Sequence, residues 1–549
     1  MSLGTAVRYW ETLRWLRPQQ VYGRAWFRLY RPKPDTRPAP PTRAMPGQWT
    51  PPACRDISLL APTRFRFLNE DADLETVGWP AKGMSRLWQY NLHYFDDLNA
   101  RGSQARRAWH GDLIANWIAR NPPAHGAGWE SYPTSLRIVN WIKWALGGAA
   151  TPPGFADSLA AQARWLRCRL ETHLLGNHLF ANAKALLFAG LWFDGSEASA
   201  WRRKAFEILH RETAEQILAD GAHFERTSMY HALAFEDVLD LINLCRAHAG
   251  VLTTREAALL SSWQDLVPRM GQTLAALSHP DGQISFFNDA AFGIAPPNAE
   301  LFSYGGRLGL PAEPIAGPSL NESGYARLST GDAVVLCDLA KIGPDYLPGH
   351  AHADTLSFEM SLFGQRLFVN SGTSVYEECS ERCRQRGTAA HNTVTVGGEN
   401  SSDVWSSFRV GFRARIIDAR VNSSQSVQTA TGSHDGYRAL PGRPIHTRVW
   451  TLRPGRLSIE DSLSQGHHTA EARYHLHPSV TISLTGDHTG DLILPGGQIV
   501  HFEATEVPLR VEPTTWHPEF GASEPNQCLV LTLVGGFAGL ALTWTPQET

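Results

Sequence analysis

The spacing of apolar residues changes near residue 310, and this change constrains the fold more than any other feature of the sequence. Before this point, from about residue 105, apolar side chains recur every three to four positions in segments separated by short turns. Such spacing predicts amphipathic helices, which pack as antiparallel hairpins around a shared core when their links are short. We therefore expect a helical toroid. The segments are DLIANWIARN, SLRIVNWIKWALGG, SLAAQARWLRCRLETHLL, HLFANAKALLFAGLWF, WRRKAFEILHRETAEQIL, AFEDVLDLINLCRAHAG and WQDLVPRMGQTLAALS.

After residue 320, apolar and polar residues alternate in short segments such as LSFEMSLFG and CLVLTLVGG, with Gly, Asn and Asp turns between them. Alternation predicts strands, and many short strands with frequent turns favour a β-sandwich. The stretch LPAEPIAGPSL is the predicted junction. We therefore predict a multidomain α + β protein. Its parts are a helical or irregular segment over residues 1–60, a toroid over 61–312 and a β-sandwich over 313–549.

Composition excludes several classes of protein. The 549 residues carry a net charge of −3, whereas general nucleic-acid binding requires a basic surface. The sequence contains no apolar run near the roughly 20 residues of a transmembrane helix. The start lacks the apolar stretch and cleavage site of a secretory signal, so no export route is predicted. Seven scattered cysteines predict no disulfide framework and suit a reducing compartment.

The first 31 residues are basic and aromatic. Two interpretations stay open for this segment: a helix packed by its aromatic side chains with arginines in solvent, or a segment that touches a membrane surface. The arginines are Arg8, Arg14, Arg17, Arg24, Arg28 and Arg31, and the aromatic residues among them include Trp10, Trp15, Trp26 and Phe27.

The stretch PGHAHADTLSFEM places His350 and His352 on either side of one alanine. The residues that follow, from Leu356 to Leu362, alternate like a half-buried strand. In extended backbone, residues i and i+2 face the same way, so the two imidazoles would project together from a strand end. The alternative is a polar loop that carries two histidines by chance.

Three stretches in the helical half combine polar groups that core packing does not require. Helix starts around a toroid tend to share one rim, so these stretches can converge there. For each one alone, a helix cap or a satisfied buried polar residue explains the pattern equally well. The stretches are LLGNHLFANAKALLF with Asn177 and His178, DGAHFERTSMYHALAFEDV with His223, Glu225, Arg226, Tyr230 and His231, and HGAGWESYPTSLRIVNW with Trp129, Glu130, Tyr132 and Arg137.

The combination of motifs resembles the heparinase II/III family of polysaccharide lyases over most of the chain. This resemblance implies an incomplete (α/α) toroid followed by an antiparallel β-sandwich, with the active site between them. It also implies cleavage of a uronic-acid-containing glycan, an acidic polysaccharide, by β-elimination to leave a 4,5-unsaturated uronyl end. The motifs are, in order, NLHYFDDL, GWESYPTSLRIVNW, GNHLFAN, FERTSMYH, GHAHADTLSFEM, VNSGTSVY, AHNTVTVGG and RYHLHP.

The resemblance assigns catalytic roles to four residues. Asn177, with His178 beside it, would stabilise negative charge that develops on the uronate carboxylate. Tyr230 matches the family's Brønsted acid and candidate base. His350 would exchange a proton with the substrate from the other side. An ordinary tyrosine titrates near about 10, so a cation such as Arg226 would have to lower the pKa of Tyr230 before it could act as a base.

Five other residues of these stretches, together with Arg409 outside them, are expected to bind the substrate. They are Trp129, Glu130, Tyr132, Arg226, His231 and Arg409. Basic residues that could recognise sulfate groups are Arg137, Lys143, Arg382, Arg384, Arg386 and Arg409.

A structural metal is the one cofactor that the resemblance implies. His352 and His391 match two of its ligands, so zinc or another divalent metal is the candidate. The usual third ligand is an aspartate in a VDSGT-like strand, but here the residue is Asn370 in VNSGT. A neutral amide is a poorer ligand than a carboxylate. The hypothesis is that Asn370 leaves a weak metal site or a metal-free hydrogen-bonded cluster.

Two other functions stay open. A glycoside hydrolase on a helical toroid would use two carboxylates, and its candidates are Glu225, Glu236 and Asp289. The matched motifs contain mainly Asn, His and Tyr, which suits elimination better. A non-catalytic glycan-binding or exopolysaccharide-assembly protein could keep the same fold without turnover.

Overall fold

The computed structural model describes residues 3–547 apart from 45–46, 314–316, 318, 321, 425, 466–467 and 506. The seven segments with helical spacing lie in α5 to α11, as predicted. The helices of the described residues are α1 (Leu3–Leu13), α2 (Pro18–Leu29), α3 (Leu74–Val77), α4 (Arg86–Tyr94), α5 (Arg107–Arg120), α6 (Ser131–Leu146), α7 (Phe155–Cys168), α8 (Gly176–Trp192), α9 (Gly195–Gln216), α10 (Ser228–Ala247), α11 (Thr254–Ala276), α12 (Asn298–Arg307) and α13 (Ser380–Arg386).

Helix α8 lies at the centre of the helical domain. It packs against α6, α7, α9 and α10, so most of its length is buried. The helix has apolar or small side chains on every side, as expected for a helix with no solvent-exposed face. Its buried Lys184 forms ion pairs with Asp237 and Asp240 of α10. The N-terminus of α8 is the part that reaches the surface of the domain.

The second half of the chain consists of antiparallel sheets. An eight-stranded sheet has the order β11-β12-β13-β14-β21-β18-β17-β16, a five-stranded sheet the order β3-β4-β5-β6-β7, and a four-stranded sheet the order β19-β20-β15-β8. The apolar residues of these sheets form one shared core. The predicted order of a helical domain and an antiparallel β-domain is confirmed.

The strands are β1 (Arg64–Phe67), β2 (Glu70–Asp73), β3 (Ser319–Leu320), β4 (Tyr325–Ser329), β5 (Ala333–Asp338), β6 (Phe358–Leu362), β7 (Gln365–Phe368), β8 (Val394–Val396), β9 (Val404–Trp405), β10 (Arg409–Val410), β11 (Ile416–Ser423), β12 (Gln428–His434), β13 (His446–Arg453), β14 (Arg456–Leu463), β15 (Ala470–His475), β16 (Thr481–Leu484), β17 (Thr489–Ile493), β18 (Ile499–Ala504), β19 (Leu509–Trp516), β20 (Glu524–Thr532) and β21 (Phe537–Thr543).

The predicted half-buried strand after His352 is wrong in two respects. Strand β6 begins only at Phe358, so His350 and His352 lie in the loop that precedes it. All residues of β6 are buried, because the strand lies between β5 and β7 and its other face meets the helical domain. There the Glu359 carboxylate accepts a hydrogen bond from His279, which follows α11. The alternation therefore reflects two buried environments, one apolar and one polar.

The helical and β-domains are packed tightly together. The core of the helical domain includes Trp516 and Phe520 from the β-domain. The last helix before the junction ends at Arg307 and the next strand begins at Ser319. Residues 314–316 and 318 of the predicted junction lie outside the described residues, so the domain boundaries stay predictions.

The N-terminal helices bridge the two domains. Arg17 after α1 forms an ion pair with Glu215 of α9, while Thr12 accepts a hydrogen bond from the Trp405 indole of β9. None of the helices in the described part of the chain is both long and apolar enough to span a bilayer. The cysteines are free thiols in the structure as described.

A buried ion pair joins two strands of the eight-stranded sheet to the loops that approach the helical domain. Arg448 of β13 forms two 2.8 Å contacts with Asp461 of β14, and His446 contacts the same carboxylate at 2.7 Å. Arg448 also donates to the carbonyls of Leu356 and Asn392. Burial opposes ionisation of Asp461, but Arg448 and His446 hold its pKa far below the usual range.

We predict that Asp461→Asn destabilises the protein by about 3 to 5 kcal/mol, because it leaves the Arg448 charge buried without a counterion. Asp418→Asn in β11 is the matched control, since Asp418 pairs with Arg420 in solvent, and we expect a change within about 0.5 kcal/mol. The shift in urea midpoint measures both. Because the pKa of Asp461 is lowered on folding, its contribution is present above pH about 4 and is lost as the pH falls further.

Candidate active site

Two adjoining cavities form a cleft between the helical domain and the β-domain. The outer cavity has a volume of about 630 Å³ and the inner one about 280 Å³. Both are lined by Tyr132, Asn177, Tyr230 and Tyr376, so these side chains stand where the cavities meet. His350 lines the outer cavity. The structure therefore brings together the predicted catalytic residues from α8, α10 and the loop before β6.

Tyr230 lies in the first turn of α10, where Thr227 caps the helix by accepting a hydrogen bond from the Tyr230 backbone N–H. Its hydroxyl oxygen is 3.2 Å from that of Tyr376. Burial, followed by the neighbouring Tyr376, raises the pKa of Tyr230 well above its ordinary value. The condition for Tyr230 to act as a base, a pKa lowered by a cation such as Arg226, is not met, because the Arg226 side chain donates to carbonyls, including those of Phe224 and Ser323. Tyr230 is therefore a protonated phenol.

His350 is oriented by a buried carboxylate. Its Nδ1 lies 2.9 Å from Oδ2 of Asp289, a fully buried residue that also forms a two-pronged ion pair with Arg382. Burial would raise the pKa of Asp289, but Arg382 and the two neighbouring imidazoles hold it well below the usual range. Asp289 is therefore an anion that accepts the Nδ1–H of His350. In the neutral imidazole, this contact places the lone pair on Nε2.

The His350 ring packs against the Tyr230 ring, with 4.0 Å between centroids. The sequence interpretation placed the two groups on opposite sides of the substrate. Instead, the loop from the β-domain reaches over the start of α10, so the two side chains are neighbours. A substrate that contacts one of them therefore lies within reach of the other.

Asn177 and His178 begin α8. The chain enters this helix with Leu175 and Gly176 in the left-handed region, at φ of 65° and 52°. A Cβ at Gly176 would lie 2.4 Å from Leu347 of the β-domain, so glycine permits the close approach of the two domains. Burial lowers the pKa of His178, but the carboxylates of Glu171 and Glu225 outweigh this effect and raise it overall. The His178 imidazole and the Asn177 amide thus stand at the positive end of the helix dipole.

Two residues of the site were missed or misassigned from the sequence. Glu225 was considered only for a hydrolase, yet it lies between α8 and the β-domain, with one oxygen 3.7 Å from Nε2 of His350. Neither of its buried oxygens has a hydrogen-bond partner among the described residues. Burial raises the pKa of this carboxyl above its usual range. Tyr376 ends the VNSGTSVY motif, and only its position in that motif could have indicated it.

The residues predicted to bind substrate fall into two groups. Tyr132 and Arg409 line the cleft. The other four lie elsewhere: Trp129 packs between Trp117 and Trp165, Glu130 contacts Arg86 and Tyr90, Arg226 binds backbone carbonyls, and His231 is buried against the Met270 carbonyl.

Most of the arginines and lysines considered for sulfate recognition are internal. Arg137, Lys143, Arg382 and Arg386 are buried and bind protein groups. Arg384 contacts Glu381 at the surface. Arg409 differs, because it is exposed at the cleft and forms no ion pair among the described residues. Its guanidinium lies over the Trp405 ring at 4.7 Å.

The candidate metal ligands are only partly brought together. Nδ1 of His352 lies 3.0 Å from Nε2 of His391, while their outer nitrogens contact Asp289 and the Gly387 carbonyl. The Asn370 amide forms hydrogen bonds with other groups: it donates to the Phe286 carbonyl and accepts from the Asn392 N–H. Within the described ranges, no three His, Cys, Asp or Glu residues form a metal-binding group. Two imidazoles alone do not fit a protein zinc site, which uses three or four ligands.

Comparison with known proteins identifies the family. Residues 64–295 match the model described as "Heparinase II/III N-terminus", and residues 312–539 match "Heparinase II/III-like, C-terminal". Both cavities of the cleft are lined by residues from the two matched regions.

The chain is similar to curated proteins named heparin-sulfate lyase. It is 26% identical over 246 residues to that of Bacteroides stercoris, which covers 41% of this chain and 36% of the relative. It is 27% identical over 380 residues to that of Pedobacter heparinus, which covers 61% of this chain and 56% of the relative. The chain thus spans about a third to just over half of the length of these relatives.

Solved structures show the same fold. A crystal structure of heparinase III aligns over 85% of this chain and 79% of that chain, with a TM-score of 0.67 and 18% identity. A heparan sulfate lyase from Pedobacter heparinus aligns over 96% of this chain and 88% of that chain, with a TM-score of 0.58 and 16% identity. Since the two family models together match most of its length, this chain belongs to the heparinase II/III family.

Proposed function

We propose that this protein is a polysaccharide lyase that cleaves a uronic-acid-containing glycan by β-elimination. The observation that carries the proposal is the contact between Tyr230 and His350 at the cleft, with His350 held by Asp289. A protonated phenol and an imidazole with a free lone pair stand side by side. They form an acid and base pair for one elimination.

The uronate carboxylate binds at the start of α8. There, the Asn177 amide and the His178 imidazole stabilise the negative charge that spreads onto the carboxylate when the C5 proton leaves. His350 accepts that proton on Nε2. As the C4–O4 bond breaks, Tyr230 donates its hydroxyl proton to O4, and a double bond forms between C4 and C5. Both protons are then accounted for, and no water is consumed.

A hydrolase with two carboxylates fits the site less well. Asp289 is neutralised by Arg382, and Glu236 is paired with Arg55 and lies near Lys143. Only Glu225 of the three candidates lacks a cationic partner of this kind. A hydrolase needs one carboxyl on each side of the scissile bond.

The names of the relatives support a heparan-like glycosaminoglycan as the acidic substrate of this chain.

The proposal includes a metal-free role for His352 and His391. Their contact joins the loop that carries His350 to the segment before β8, and Asp289 contacts both His350 and His352. The pair therefore supports the catalytic loop through hydrogen bonds.

For the reaction itself, we predict that a panel of uronic-acid polysaccharides includes one whose cleavage yields a conjugated, ultraviolet-absorbing product. Reducing ends formed in labelled water should contain no label, because elimination adds no water. Label at the new ends would favour a hydrolase. Binding of a panel member without cleavage would favour the glycan-binding protein.

For the acid, Tyr230→Phe should reduce turnover by about 100- to 10,000-fold with the fold intact, because it removes one hydroxyl that donates a proton. Tyr437→Phe is the matched control: that buried hydroxyl donates to the Val394 carbonyl in the β-domain, away from the cleft. The two variants should have similar circular dichroism spectra. A near-normal initial rate for Tyr230→Phe would remove this residue from the mechanism.

For the metal, elemental analysis of protein purified without chelator should find no stoichiometric zinc, since Asn370 supplies no ligand. Zinc that survives dialysis at one equivalent would contradict this prediction. Asn370→Asp should not raise zinc affinity if the side chain stays directed at Phe286 and Asn392. A clear rise would show that residue 370 converges with the two histidines.

A further inference from the structure

The N-terminal helices expose an unusual amount of apolar surface. Of the 17 large apolar side chains that are exposed in the described part of the chain, nine lie between residues 7 and 30. Soluble proteins rarely leave such a concentration uncovered unless it contacts a partner. We call six of these side chains, each 53 to 82% exposed, the N-terminal surface: Val7, Trp10, Val21, Tyr22, Trp26 and Leu29.

Helix α2 turns its apolar face to solvent and buries small or polar residues. Tyr22, Trp26 and Leu29 are spaced four and three residues apart, so they form one stripe along the helix. That stripe faces solvent, whereas the buried residues of the helix are Gln20 and Gly23. A helix that packs only to fill the core turns its apolar face inward. The outward stripe therefore needs a partner outside the chain.

The charges around the N-terminal surface are positive. The first 31 residues contain six arginines and one glutamate, although the whole chain has a net charge of −3. Arg8, Arg14 and Arg17 are paired with carboxylates. Arg28 and Arg31 are exposed and form no ion pair within the described ranges. These free guanidinium groups complement an anionic surface.

We propose that the N-terminal surface docks the protein on an anionic lipid membrane. Tryptophan and tyrosine prefer the interface between headgroups and acyl chains, aliphatic side chains enter the acyl boundary, and arginines bind anionic headgroups. A glycan would stack on aromatic rings and leave Val21 and Leu29 unused. A symmetric second copy would present the same positively charged patch, so like charges would face each other across the interface.

The helices are held firmly enough to orient the molecule on such a surface. Arg169 of the helical domain stacks on Phe27 at 3.5 Å and donates to the carbonyl of Tyr30 at 2.6 Å. The Tyr9 ring of α1 contacts the Trp405 ring of β9 in the β-domain, with 5.2 Å between the ring centroids. The opposite side of α1 supplies Tyr9 and Thr12 to the lining of the outer cavity. Docking therefore places the mouth of the cleft near the membrane.

The test is co-sedimentation of the full chain with vesicles of phosphatidylcholine alone or of an equal mixture of phosphatidylcholine and phosphatidylglycerol. The wild type should bind the mixed vesicles, and added salt should weaken binding because it screens the arginines. The double variant Trp10→Ser/Trp26→Ser should bind about tenfold more weakly or worse. Arg28→Gln/Arg31→Gln should lose the preference for the anionic lipid.

The matched control is Ile417→Ser/Leu484→Ser, which removes two similarly exposed apolar side chains from the β-domain, 55 and 52% exposed. It should bind as the wild type does, and thermal unfolding should show that every variant is folded. Absence of wild-type binding to mixed vesicles overturns the proposal, as does an equal loss in the control. A wild-type dimer that Trp10→Ser/Trp26→Ser dissociates would also overturn it and assign the surface to a second copy. None of these outcomes depends on catalysis.

Discussion

The buried carboxylate of Asp289 is the interaction on which the site depends. It lies between the helical and β-domains, where Arg382 neutralises it and His350 and His352 contact it on separate oxygens. An isolated anion in this position would be strongly unfavourable, so the guanidinium, the two imidazoles and the carboxylate stabilise one another. The loop that carries His350 takes its conformation from this cluster. The two domains must therefore be assembled before the imidazole is correctly oriented.

The fold was readable from the sequence because hydrophobic spacing is local. Helices α5 to α11 follow the period of the apolar residues, and strands such as β13 and β14 follow the alternation. The same reasoning failed at β6, where Glu359 and Ser361 occupy the second face as buried polar groups bound to His279. A pattern of polar residues does not distinguish solvent from a polar interface.

The site could be predicted only in part from the sequence, for a related reason. Tyr230, Asn177 and His350 stand in recognisable motifs and meet at the cleft. The arginines were misjudged, since a sequence does not show which cations are already paired inside the protein. Arg382 serves Asp289, and Arg386 binds the Ala351 carbonyl. Tyr376 enters the site through a long-range contact between domains, which no local spacing reveals.

The burial of α8 limits which amino-acid substitutions this helix tolerates. Almost every residue of that helix touches another helix, so a substitution there costs packing energy whatever its effect on chemistry. The cleft is lined by Asn177 and His178 of the first turn and, in its inner cavity, by Phe180, Ala181 and Lys184. The segment from Tyr346 to His350 and the hairpin around Phe408 also line the outer cavity but lie in loops and short strands. Under the proposed function, changes in glycan preference are therefore expected in these loops rather than in α8.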